Sequence, residues 1–453
     1  MLRAESRKPA QQTFPQTFTP VPWFTPAVFI LAPVTASFGA WAVLGAIDLL
    51  GHSGGSWENL AGFSEPEPLT ARSVVLLLFW YGAVVAMSMI GWRLGMRSRP
   101  RPGIVELTGS VAFERRYFFV VLVAAAVGIG YSLYQIGSPL SIIESLSEQT
   151  GNDLYSSLSN TASPVTLRYS TILAAPIGIY LWRKKAIAWP FMVLAVVLLL
   201  MNTMLAHRLS LLMASVVYLA MWVRQRGGGK RSAAKKPNRW IAIIAIGVVG
   251  FSLLAALNYF RNANYYRDAG VSNPVAMNLY QMGAYLAVPA QVSIGMSDAV
   301  MSGAWEVKSD PVTALTAIQP TFLQFDKVSK DDSWKRASVF GYSVKFAPNF
   351  FTVSVFADTY ALYGTWGWIY TFGLYAFAGY LLARIVRYGT VVAGTAGVVA
   401  YCFAEMWRIQ ILSYGIVIYL LLLTIGSALI AGWGVRRSAA RAAALPRMSP
   451  SAR

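Results

Sequence analysis

The chain is predicted to be an all-α integral membrane protein, with about ten transmembrane helices and one large extracytoplasmic loop. Three observations predict this. Of 453 residues, 56% are apolar and only 13% charged, with a mean hydropathy of +0.50, which excludes an ordinary soluble domain and a disordered chain alike. The apolar residues fall into runs near the roughly 20 residues that one crossing needs. Lysines and arginines alternate between the intervening loops: one set of loops and tails holds 26 of the 38, with only Glu5, Glu106 and Glu114 among them. An excess of Lys and Arg marks the cytoplasmic side, so both termini are expected inside, in the cytoplasmic (inner) membrane.

The elements follow in order. The N-terminus carries Arg3, Arg7 and Lys8 and is too long and irregular to read as a cleaved signal peptide. A first span is expected at about 27–50. A loop with Glu58, Glu65 and Glu67 precedes the second, about 73–91. Arg93, Arg97, Arg99, Arg101, Arg115 and Arg116 lead to the third, about 118–136. The fourth, about 170–181, ends at Arg183-Lys184-Lys185, and the fifth, about 188–205, turns at His207-Arg208 into the sixth, about 209–223. The tract from Arg224 to Arg239 has seven Lys/Arg and no acid. A seventh span is expected at about 241–257, an eighth at 366–382, a ninth at 391–404 and a tenth at 411–431. The tail holds Arg436, Arg437, Arg441, Arg447 and Arg453. Residues 1–453 thus form one polytopic domain.

Residues 258–364 are the one long interruption, expected to lie outside the cytoplasmic face and to contain amphipathic or re-entrant helices. Between Arg261 and Gly364 it holds eight Lys/Arg and eight Asp/Glu. The net charge of +19 raises the possibility of nucleic-acid binding. Spread over six segments that alternate with apolar runs, it reads instead as topology and anchoring to anionic lipid. A single cysteine, Cys402, and two histidines, His52 and His207, predict no disulfide framework, metal site or cofactor. Walker, dinucleotide, HExxH and GxSxG signatures are lacking.

The informative charges break the sorting. Arg168, Arg208, Arg261, Arg267 and Arg408 stand at helix mouths on the outer side, where topology disfavours basic residues. An arginine there can simply snorkel to the headgroups. As a group they are better placed to bind phosphate or diphosphate oxygens, which suit the rigid guanidinium fork. Glu405, Asp358, Asp268 and His207, in that order, are the candidate general bases for deprotonating an acceptor hydroxyl. Glu405 has the alternative of neutralising Arg408, Asp358 that of capping a helix, and His207 that of a turn residue. An outward site without nucleotide machinery needs an energised substrate already in the membrane. A lipid-diphosphate-linked sugar meets that need, because cationic groups can hold the charge developing on its leaving diphosphate.

Three segments carry a resemblance. They are Leu205-Ala-His-Arg208-Leu-Ser-Leu-Leu212, the stretch Tyr280 to Pro289, and Phe351-Thr-Val-Ser-Val-Phe-Ala-Asp358-Thr-Tyr-Ala-Leu-Tyr-Gly364. With the overall architecture they resemble the O-antigen polymerase (oligosaccharide repeat-unit polymerase, Wzy-type) family. That resemblance implies a GT-C-like helical glycosyltransferase that joins undecaprenyl-diphosphate-linked repeat units at the outer face without metal. It implies diphosphate binding by Arg208 and by Arg261 or Arg267. Its expected partners are the lipid-linked oligosaccharide, membrane lipids, a flippase and a chain-length regulator, and not nucleic acid. The related O-antigen ligases use an outer-loop histidine that this loop lacks, which favours a polymerase. The rival reading is a secondary transporter or flippase for an anionic lipid or solute, which is expected to show repeated halves. None is legible.

Overall fold

The computed structural model describes residues 21–49, 69–98, 100–136, 164–205, 208–226, 267, 272–307, 310–318 and 354–444. Among them there is no strand. The helices are α1 (Pro26–Leu49), α2 (Ala71–Arg97), α3 (Pro102–Gly109), α4 (Val111–Ile136), α5 (Thr171–Arg183), α6 (Trp189–Leu205) and α7 (Arg208–Arg226). They continue with α8 (Pro274–Ser302), α9 (Pro311–Ile318), α10 (Leu362–Ile385), α11 (Thr390–Ala393), α12 (Ala396–Glu405) and α13 (Gly415–Ala444). A 3₁₀ segment, Pro164–Ser170, leads into α5, and a π-helical segment, Phe356–Ala361, leads into α10. The expected seventh span lies outside the described residues.

The helices associate through small residues as well as through apolar bulk. Along α2, Gly91 and Gly95 face α10 so closely that a Cβ on Gly91 would stand 1.8 Å from the carbonyl oxygen of Ala376. A Cβ on Gly379 of α10 would stand 2.2 Å from that of Ser88. Such backbone contact is how helices pack where lipid removes most of the hydrophobic drive to associate. The two helices run in the same direction: Phe79 stacks on Trp368 near their starts, and Ser98 meets Arg384 near their ends.

The interruption between the expected seventh and eighth spans contains a long helix of the bundle. The helix α8 is 29 residues long, capped by the Asn273 side chain at its start and by left-handed Gly303 at its end. It runs parallel to α1, with Ser37 Oγ donating to Leu286 O at 2.6 Å and Trp41 Nε1 donating to Gln291 Oε1 at 2.5 Å. It runs antiparallel to α2, with Ser297 Oγ donating to Ser73 O at 3.0 Å and Thr70 Oγ1 donating to Asp298 Oδ1 at 2.6 Å. The balanced charge of residues 258–364 hid it, since its own sequence is only moderately apolar.

The two ends of the bundle differ. Segments rich in Lys and Arg meet one another at one end. There Arg384 and Arg387 donate to Ser98 O, Arg224 Nε to Tyr388 O at 2.7 Å, and Arg116 Nη2 to Ser438 Oγ at 2.7 Å. Lys184 pairs with the buried Glu114 at 3.5 Å. At the other end Thr70 meets Asp298, Ser170 Oγ lies 2.5 Å from Tyr419 Oη, and Val355 N donates to Met406 O at 3.2 Å.

The expected ninth span is two pieces, broken at Gly394-Thr395. Residues 390–405 rise only about 24 Å at 1.5 Å per residue, against roughly 30 Å of hydrocarbon. The turn that follows α12 is therefore held within the bundle, where Met406, Trp407, Gln410 and Ile411 are buried. Irregular backbone at such depth is stable only inside protein.

Candidate functional site

That turn is the centre of the candidate site. Buried Glu405 and half-buried Arg408 form an ion pair, with Arg408 Nε at 3.0 Å and Nη2 at 2.9 Å from the same oxygen, Glu405 Oε2. The other carboxylate oxygen accepts from Tyr401 Oη at 2.5 Å, one turn earlier in α12. Both oxygens are thus held and the carboxylate is fixed in direction. The guanidinium of Arg408 lies 4.8 Å from the ring centre of Tyr285 on α8, a cation–π contact that joins α8 to the turn. Pro289 lies inside α8, one turn after Tyr285.

A second carboxylate, Asp358, lies on the π-helical segment beside this turn. The segment is tied to the turn by the Val355–Met406 backbone bond and to α8 by Ser354 Oγ, 2.7 Å from Ser293 Oγ. Asp358 N donates to Ser354 O at 2.9 Å, and its side chain is half-buried. Phe356 is fully buried against Trp80, and Tyr360 packs on Trp368. The chain enters α10 through Gly364 at φ 55° and ψ −137°, a conformation that only glycine adopts without strain. π-helical turns of this kind are rare and concentrate at functional sites.

A third part is built on the 3₁₀ segment. Arg168 is 2% exposed, and only its Nη2 has a partner, donating to Tyr169 Oη at 3.1 Å. Its Nε and Nη1 have none among the described residues. The segment is pressed onto α4 at Gly128, where a Cβ would stand 2.0 Å from Arg168 N. The carbonyl of Arg168 accepts from Thr171 Oγ1 at 2.8 Å, and Thr171 Oγ1 accepts from Asn202 Nδ2 at 3.0 Å. Asn202 Nδ2 also donates to Ser210 Oγ at 3.1 Å, two residues into α7 from Arg208. The segment that carries Arg168 and the helix that Arg208 begins are therefore cross-linked through Asn202.

Of the residues singled out in the sequence, Glu405 and Arg408 are joined directly, and Asp358 stands on the neighbouring segment. Arg208 begins α7, and its side chain lies outside the described residues. Arg267 is exposed. Arg261, Asp268 and His207 lie outside the described residues. Tyr285 and Tyr401 were not singled out. Tyr401 sits four residues before Glu405, a helical spacing that could have pointed to it, whereas nothing in the sequence ties Tyr285 to residue 408. Among the described residues no group of three or more His, Cys, Asp or Glu side chains could hold a metal.

These features define a class. Four helices among the described residues (Pro26–Gly45, Ala71–Arg97, Val111–Ile136 and Gly415–Ser438) are long and apolar enough to cross a membrane, and Trp189–Leu205 and Thr390–Glu405 are shorter apolar helices. Their outer faces bear exposed Val75, Leu78, Val123, Leu422, Leu429 and Trp433, while Asn202, Gln291, Thr371 and Glu405 are buried inside. The arrangement is that of an all-α membrane protein with some polar side chains buried in an apolar core. Comparisons with models of protein families, with curated proteins and with solved structures give no match.

Proposed function

We propose that the protein is a polysaccharide polymerase of the O-antigen polymerase type, a metal-independent membrane glycosyltransferase. In this reading it has ten spans and lies in the cytoplasmic membrane with both termini inside. It joins lipid-diphosphate-linked oligosaccharide units at the outer face. The observation that carries the reading is the part-buried Glu405–Arg408 pair, beside the Asp358 segment and at the end of the bundle away from the basic loops. Glu405 takes the proton of the acceptor hydroxyl, with Asp358, Asp268 and His207 as successively weaker alternatives. Arg208, Arg261, Arg267 and Arg408 bind the diphosphate and stabilise its charge as the glycosidic bond to it breaks. The partners are the lipid-linked oligosaccharide, membrane lipids, a flippase and a chain-length regulator.

The test is purified full-length protein incubated with lipid-diphosphate oligosaccharide and resolved as a gel ladder. Polymer growth in the wild type that is lost in Glu405→Gln and Arg208→Ala, and kept in Arg436→Ala, supports the reading. Equal ladders from all variants, or no ladder from any, reject it.

A second reading has one observation in its favour. The break between α11 and α12, and Pro33, Pro176 and Pro289 inside helices, are interruptions of the kind that line transport paths. A secondary transporter or flippase would move an anionic lipid or solute across proteoliposomes without extending any chain.

A further inference from the structure

Arg168 is buried and Arg408 half-buried, and their charges are compensated differently. Arg408 is neutralised: one carboxylate oxygen takes two of its nitrogens, and an aromatic face covers the guanidinium. Arg168 is held by one phenolic oxygen and by the ring of the same tyrosine, 5.0 Å away. No carboxylate reaches it among the described residues, and its Nε and Nη1 are buried without partners. A buried cation without a counter-charge is among the most costly arrangements a protein can contain. Buried donors left unsatisfied in an otherwise bonded interior call for an absent acceptor. The acceptor that matches is an oxyanion, which supplies the charge and several lone pairs together.

We infer that Arg168 forms a further oxyanion site of this protein, taking a phosphate or diphosphate group, in addition to the arginines named in the proposed function. The surroundings fit a fixed binding residue. Contact with Gly128 leaves the backbone of Arg168 no room to retreat, and Thr171 and Asn202 tie its carbonyl to the start of α7. The hydroxyls of Tyr169, Ser170 and Tyr419 lie in the same neighbourhood as further polar groups. This rests on the polymerase reading only for the suggestion that the oxyanion is carried by a lipid. The site itself follows from burial and missing partners.

The experiment measures binding without turnover. Full-length protein in lipid nanodiscs is titrated with inorganic pyrophosphate and, separately, with geranyl diphosphate, with affinity read by calorimetry and by the rise in unfolding temperature. The wild type is expected to bind. Arg168→Lys, which keeps the charge and loses the fork, is expected to weaken binding about 10- to 100-fold, the size of one charge-assisted hydrogen bond. Gly128→Ala, which displaces the Arg168 backbone, is expected to weaken it in the same direction. Arg436→Lys, on an exposed position of α13, is expected to leave binding within about threefold of wild type, a difference of less than one hydrogen bond. Geranyl diphosphate binding more tightly than pyrophosphate identifies a lipid-borne group, and equal binding identifies a free oxyanion.

Absence of binding to the wild type overturns the site whatever the variants do, and so does a loss in Arg436→Lys as large as that in Arg168→Lys. Binding that depends on Arg168 in a protein that forms no ladder keeps this site and removes the polymerase. A ladder from Arg168→Lys equal to wild type, with binding unchanged, removes this site and keeps the polymerase.

Discussion

The two ends of the bundle use the same residue type for different purposes. At the basic end, Arg224, Arg384 and Arg387 are satisfied by backbone carbonyls. Arg387 Nη1 donates to the carbonyls of Met96 at 2.9 Å and Ser98 at 2.7 Å, and Arg224 Nε donates to that of Tyr388. These are the acceptors left over where helices end, and the negative end of the helix dipole adds to the attraction. Such arginines close the bundle. Arg116 is an intermediate case, with Nη2 on Ser438 and Nη1 buried without a partner, but its side chain is only half-buried. At the opposite end the charges meet side chains or nothing: Arg408 meets Glu405, and Arg168 keeps two donors unused. An arginine spent on carbonyls belongs to the scaffold, and one held in reserve at depth is available to a ligand.

Substitutions can break or sharpen that contrast. The largest effect is expected at the turn after α12. Loss of a positioned general base lowers rates by about 10²- to 10⁴-fold, so Glu405→Gln is expected to reduce ladder formation by that factor. Glu405→Ala also strands Arg408 and is expected to cost about 3–5 kcal/mol in unfolding experiments. The double variant Glu405→Leu with Arg408→Met is expected to recover most of that stability and none of the activity. Recovery of both would make the pair structural and erase the difference between the ends.

A smaller loss is expected where helices α2 and α10 touch. Gly91→Ala forces the two backbones apart and is expected to cost about 1–3 kcal/mol, read as a lower unfolding temperature in detergent. Gly364→Ala is expected to cost a similar amount, about 1–3 kcal/mol, through backbone strain, and to lower activity as well because it moves the Asp358 segment. At the basic end, Arg387→Ala removes bonds from a partly exposed cation and is expected to cost about 1 kcal/mol with turnover unchanged. Arg436→Ala, on an exposed position of α13, is expected to change neither stability nor activity, within about 0.5 kcal/mol. A basic-end substitution that abolished activity without unfolding the protein would contradict the division of labour.

Much of the fold was legible. Apolar runs located α1, α5, α6 and α7 closely at both ends, and α2, α4 and α13 at one end only, because a helix in lipid must be apolar along nearly its whole length. Arg408 was suspect because it breaks the charge pattern, and Glu405 because it sits one helical turn away. Helix α8 was not legible as part of the bundle. Its Asn278, Gln281, Gln291 and Ser293 are buried against protein rather than lipid. A helix shielded by its neighbours need not be apolar, so hydropathy does not distinguish it from a surface loop.

By itself the sequence determined which segments must be helices and which charges collect together, since both follow from local composition and the cost of placing polar groups in lipid. Only the tertiary structure decided what each charge packs against. The surroundings of each charge depend on contacts between residues far apart in the chain: Tyr285 with Arg408, Val355 with Met406, Thr171 with Asn202. Arg168 and Arg408 are alike in the sequence as arginines beside apolar runs. Local spacing gave one of them a carboxylate, and packing buried the other with no carboxylate among the described residues.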